Sequence, residues 1–129
     1  MNLTPELQKV LVDGFIDQRL SPDHTVRSME DPNVAKYRCS WVSEKYSDYL
    51  KEKGIECSIL DVCGMRTPPD NNTAYPQDYA WRGFGHVVVV VGELWIDWTA
   101  RQMDSKCAFP YIADARTELK NWRHLDKVR

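Results

Sequence analysis

What the chain lacks narrows its function before any motif is considered. No run of apolar residues approaches the roughly 18 that a membrane-spanning helix requires. The first twenty residues are interrupted by Glu6, Gln8, Lys9, Asp13 and Asp17, so they lack the continuous apolar region of a secretory signal. Lys and Arg never gather into a block and the net charge is −2, which points away from nucleic acid and from anionic membranes as partners. Cys39, Cys57, Cys63 and Cys107 include no C-x-x-C pair, so the usual zinc signatures are absent and neither a metal nor a cofactor is expected. Without a secretory route, reduced thiols in a cytoplasm, that of the producing cell or of a target cell, are the expectation. Asn2 and Asn71 match the glycosylation pattern by letter only. There is no internal repeat and no low-complexity segment.

What remains is an ordinary globular composition. At 129 residues, 43% hydrophobic and 28% charged, the chain has the length of a single domain, residues 1–129, able to bury its own core. Thr4 and Pro5 read as the cap and first position of a helix. Leu7, Val10, Leu11, Phe15 and Leu20 give that helix one apolar side, and Ser21-Pro22-Asp23 ends it. A second helix is expected from about Val34 to Lys53, closed by Gly54, with Cys39, Val42, Tyr46, Tyr49 and Leu50 on its inward stripe. Ile55–Val62 reads as a strand. Residues 64–83 carry three prolines and several aromatics and read as a long irregular loop able to shape specificity. The tail, from about Asp114 to Val128, places Leu119, Trp122 and Leu125 at helical spacing.

The clearest signal lies at Phe84–Val91 and Leu94–Thr99, two strand-like runs joined by Gly92-Glu93. A two-residue Gly-X connection marks a type II′ hairpin. Both runs are apolar on both faces, so the hairpin should lie inside a sheet. If Gly92-Glu93 is the turn, Val91 faces Leu94, Val88 faces Asp97 and His86 faces Thr99. Side chains alternate faces along a strand, so His86 and Asp97 share a face as diagonal neighbours, roughly 7–8 Å apart at the backbone. A carboxylate inside Leu94-Trp95-Ile96-Asp97-Trp98 needs a partner, because burying it alone is costly. An Asp beside a His fixes the tautomer of the ring and stabilises its protonated form.

Cys39 completes the set. It stands near the start of the second helix, where aligned amide dipoles favour a thiolate. The competing reading is a small buried hydrophobe on a helix stripe. Cys57, Cys63 and Cys107 fall on a strand or in loops, away from any helix start.

The order Cys, then Gly-His opening an apolar strand, then a strand carrying Asp, resembles the papain-like and transglutaminase-like cysteine enzymes. More narrowly, Gly85-His86-Val87-Val88-Val89-Val90, then Trp95-Ile96-Asp97-Trp98-Thr99-Ala100-Arg101-Gln102 and Phe109-Pro110, resemble bacterial and phage papain-fold toxins and protein deamidases. The resemblance implies an α+β, papain-like fold in which helices pack on an antiparallel sheet and the nucleophile helix lies against the His/Asp hairpin. It implies Cys39 as nucleophile, His86 as base and Asp97 as the group orienting it. The substrate would be an amide or carboxamide of a protein or peptide, cleaved, deamidated or transferred through a thioester. The oxyanion helper of the family is often a Gln or Asn shortly before the Cys, which makes Asn33 a candidate beside the Cys39 amide. Asp31-Pro32-Asn33 reads equally as turn and cap chemistry. Tyr79, Trp81 and Gln102 are the remaining candidate substrate contacts; Gln102 reads better as a prop for the loop toward Phe109 and Pro110. A binding or inhibitory module without turnover, on the same scaffold, is the alternative. The oligomeric state is not legible in the sequence.

Overall fold

A computed structural model describes residues 3–65 and 85–129. The chain is α+β: five antiparallel strands in one sheet with short helices and one long one. The expected N-terminal helix begins as read, with Thr4 Oγ1 accepting the Leu7 N–H at 3.2 Å and Pro5 in the first position of α1, Pro5–Gln8. It does not continue to Leu20. A π-helical turn, Lys9–Asp13, follows and closes with Gly14 N–H donating to Lys9 O at 2.9 Å. Packing overrides the helical period here: Leu11, Val12 and Phe15 are buried against Tyr46 and Tyr49. Gly14 is required by that approach, since a Cβ there would lie 2.2 Å from Tyr49 Oη.

The expected second helix is two helices. Asp31 caps α2, Pro32–Ala35, by accepting the Asn33 N–H at 2.9 Å. Tyr37 then turns into the left-handed region at φ 67°, and α3 opens afresh at Cys39 and runs to Glu52. Cys39 is therefore the first residue of a 14-residue helix rather than a residue within one. The buried side of α3, Val42, Tyr46, Tyr49 and Leu50, is the expected stripe. Tyr46 Oη and Tyr49 Oη donate to Leu11 O and Val10 O at 2.7 and 2.6 Å, fastening α3 to the N-terminal segment.

Strand β1, Ser58–Met65, starts and ends three residues later than expected. Ile55 N–H is taken up by Leu50 O at the end of α3, and β1 continues to Met65 because it gains partners on both sides. Strands β2, Gly85–Val91, and β3, Leu94–Asp97, form the expected hairpin: Val91 faces Leu94, Val90 faces Trp95 and Val89 faces Ile96. Gly92 has φ 58°, and no non-glycine at the turn has positive φ, which suits a type II′ turn. After a short 3-10 turn, Ala100–Gln102, come β4, Tyr111–Asp114, and α4, Ala115–Leu119. The tail is not one helix. It leaves α4 and becomes β5, Trp122–Val128, paired along β1. The strand order β4-β3-β2-β1-β5 puts the hairpin inside the sheet, as its two apolar faces require.

Each face of the sheet carries its own core. Val89, Val91, Leu94 and Ile96 pack with α3 and the N-terminal segment. Leu60, Val62, Val88 and Trp95 pack with Met103, Ala115 and Trp122. Among the described residues no helix is long and apolar enough to cross a membrane. All four cysteines are free thiols.

Candidate active site

The hairpin sets His86 and Asp97 on one face. His86 Nε2 lies 2.5 Å from Asp97 Oδ2, and both side chains are buried. Asp97 is held in turn, its Oδ1 accepting from Thr99 N at 2.9 Å and from Thr99 Oγ1 at 3.4 Å. With Nε2 committed to Asp97, Nδ1 is the ring nitrogen left to exchange a proton elsewhere.

Cys39 reaches this pair through a gap in the sheet. Pairing of β2 with β3 is recorded only as far as Val89 and Ile96, whereas β2 continues along β1 to Gly85. The opening turns of α3 take the vacated side of β2. Ser43 Oγ donates to Val87 O at 3.1 Å, and the Val87 backbone helps to lower the Cys39 thiol. That thiol and the His86 ring are near enough for each to shift the proton affinity of the other. Cys39, His86 and Asp97 therefore meet in series, in the order in which the sequence reading placed them.

The electrostatics follow from this contact. Burial pushes the Cys39 thiol up, but the His86 hydrogen bond and charge, with the Val87 backbone, outweigh it and leave the thiol below its ordinary value. Burial works against a charged His86, and the Asp97 charge and hydrogen bond, with those of Cys39, more than offset it and raise the imidazole. A lowered thiol facing a raised imidazole is the arrangement in which a proton passes from sulfur to nitrogen. Cys107 is the contrast: burial first, then the nearby Asp97 and Asp104, push it up to about 12.

The other candidates separate. Asn33 is exposed in the first turn of α2, where its backbone serves the Asp31 cap, and no contact joins it to the triad. Tyr79 and Trp81, with the expected loop between Met65 and Gly85, lie outside the described residues. Gln102 is fully buried, on the Nδ1 side of the His86 ring. Its Nε2 donates to Thr99 Oγ1 at 3.1 Å and lies 3.4 Å from His86 Nδ1, while its Oε1 accepts from Tyr37 N at 3.3 Å. Its neighbour Arg101 props the following loop, donating from Nε to Cys107 O at 3.0 Å.

No family model, curated protein or solved structure matches this chain.

Two neighbours of the site escaped the sequence reading. Trp122 opens β5 and lies flat on the His86 ring, with centroids 5.6 Å apart and planes at 13°. Its three-residue spacing from Leu119 suggested a helix, and only the pairing of Met65 with Trp122 brings it over the imidazole. Glu118, on α4, accepts from Tyr111 Oη and Asn121 Nδ2 at 3.1 and 3.2 Å. Burial raises its carboxyl, and it lies near enough to Asp97 and His86 to feel both charges. Nothing local in the sequence marks it. Among the described residues no cluster of three or more His, Cys, Asp or Glu side chains could hold a metal ion.

Proposed function

We propose that the chain is a cysteine-dependent hydrolase or acyl-transfer enzyme on a papain-like scaffold, acting on an amide or carboxamide of a protein or peptide. The observation that carries this reading is the Cys39–His86–Asp97 series, its imidazole and carboxylate buried and its thiol half-buried, with the thiol lowered against burial by His86 and the imidazole raised against burial by Asp97 and then Cys39. In the reaction, Cys39 transfers its proton to His86 Nδ1 and the sulfur attacks the carbonyl carbon. The π pair moves to oxygen, beside the amide of Cys39 at the opening of α3. Collapse expels nitrogen, which takes the proton from His86, and a thioester remains. Water then attacks the thioester, giving a proton to His86. The C–S bond breaks, the proton on His86 passes to the sulfur, and the carboxylic acid leaves and gives its own proton to the medium. An amine in place of water gives transamidation. Asp97 holds the ring through Nε2 throughout.

The test is mass spectrometry of candidate protein and peptide substrates incubated with wild type and with Cys39→Ala. Cleavage, or a mass change of deamidation, in the wild type alone supports the reading. Full activity of Cys39→Ala on an identified substrate overturns Cys39 as the nucleophile.

A further inference from the structure

Resting on the reading of Cys39 as nucleophile, we propose that Gln102 is a positioning residue that holds the turn before Cys39 in register with His86. The turn calls for such a hold. Tyr37 sits at φ 67°, a conformation that a non-glycine, side chain-bearing residue adopts only when its surroundings impose it. The residue is 71% exposed, so burial is not what imposes it. One backbone contact from the protein interior does reach this turn: Tyr37 N–H donates to Gln102 Oε1 at 3.3 Å, from a residue 65 positions away.

The orientation of the Gln102 amide follows from that contact. Tyr37 N–H can only donate, so Oε1 must face it, and Nε2 donates to Thr99 Oγ1; His86 Nδ1 lies 3.4 Å from that nitrogen, a contact that leaves Nδ1 to the Cys39 proton. One side chain thus touches the turn leading to the nucleophile, the ring of the base, and the threonine that holds the carboxylate of Asp97. His86, Asp97, Thr99 and Gln102 close into a buried ring of polar contacts, and Tyr37 is its link to α3. Gln102 is fully buried, so it acts through these groups and not on substrate.

The substitutions that separate this role from a general packing role are Gln102→Leu and Gln102→Asn, each alone and combined with Tyr37→Gly. Leu keeps the volume and removes the polar atoms; Asn keeps the amide but falls one methylene short. Glycine accepts positive φ without strain, so Tyr37→Gly should make the turn independent of Gln102. The readout is the rate of Cys39 alkylation by iodoacetamide at neutral pH, with Cys39→Ala subtracting the other three thiols. Circular dichroism verifies that each variant is folded. Either Gln102 variant should slow alkylation about 10- to 100-fold, the effect expected of a roughly 1 Å misplacement. Tyr37→Gly alone should stay near wild type, and adding it to either Gln102 variant should restore most of the rate. Whichever Gln102 variant folds carries the test. Wild-type alkylation in a folded Gln102 variant, or no recovery on adding Tyr37→Gly, overturns the proposal while leaving Cys39 as nucleophile. A wild-type Cys39 no more reactive than in the unfolded chain overturns both.

Discussion

Asp97 Oδ2 approaches His86 Nε2 to 2.5 Å across a hairpin, although the two are eleven positions apart along the chain. Gly92-Glu93 makes that approach possible. A turn of odd length would move one of the two side chains to the opposite face of the sheet.

If Cys39, His86 and Asp97 act as one unit, their substitutions will not add. Cys39→Ala and His86→Ala should each abolish turnover on the true substrate, and the double variant should be no slower than either single one. Asp97→Asn should cost less in turnover. A double variant clearly worse than both singles would mean that the sulfur and the ring serve separate steps.

The pH dependence of stability has a defined sign. Burial opposes the charged form of His86, but Asp97 and Cys39 raise it from 6.5 to about 10. A raised basic group stabilises the fold fully below pH 6.5, and that contribution drains away as the pH rises through about 10. Cys39 runs the other way: burial raises it, His86 lowers it further, and its contribution is lost as the pH falls through the lowered value. Cys39→Ala isolates the first effect. Thermal unfolding should show Cys39→Ala losing more stability between pH 6.5 and 10 than Cys39→Ala/Asp97→Asn does. Equal losses in the two would contradict the coupling of Asp97 to His86.

Trp122 is expected to shield the imidazole. Truncation to Ala removes a buried indole, at a cost of about 3–5 kcal/mol, and opens one face of His86 to water. Urea unfolding should register the first effect, and faster exchange of the His86 ring N–H the second. Trp122→Phe should retain much of both. Unchanged ring exchange in a folded Trp122→Ala would assign Trp122 to packing alone.

Gly14 and Tyr49 should be coupled. Gly14→Ala sets its Cβ against Tyr49 Oη at 2.2 Å, and overpacking of this kind costs about 1–3 kcal/mol. In Tyr49→Phe the hydroxyl is gone, together with its hydrogen bond to Val10 O, so adding Gly14→Ala should cost less there. Strictly additive chemical-denaturation energies would argue against the clash.

The parts of this structure legible in the sequence are those decided by near neighbours. The Thr4 cap, the stripe of α3 and the hairpin register each follow from residues within a few positions, so Cys39, His86 and Asp97 could be brought together by spacing. The break at Tyr37 could not. Lys36-Tyr37-Arg38 contains no glycine or proline, and the Tyr37 N–H donates to Gln102, far along the chain. The tail failed for a related reason. Leu119, Trp122 and Leu125 repeat as a helix would, yet β1 offers an open edge, and backbone pairing with Asp61, Val62 and Met65 prevails over the period. Asn33, a fair guess from its distance upstream of Cys39, was drawn into the cap of a helix that the sequence did not reveal as separate.

The opening beside β2 has a consequence for how reactivity arises during folding. Base and acid belong to one hairpin and can find each other by local zippering alone. The sulfur joins them only when α3 docks into the gap that β3 leaves along Val87. An intermediate with a complete hairpin but an undocked helix would hold a finished histidine–aspartate couple and an ordinary, sluggish thiol. On the proposed reading, nucleophilicity in this chain is thus a property of the assembled tertiary structure.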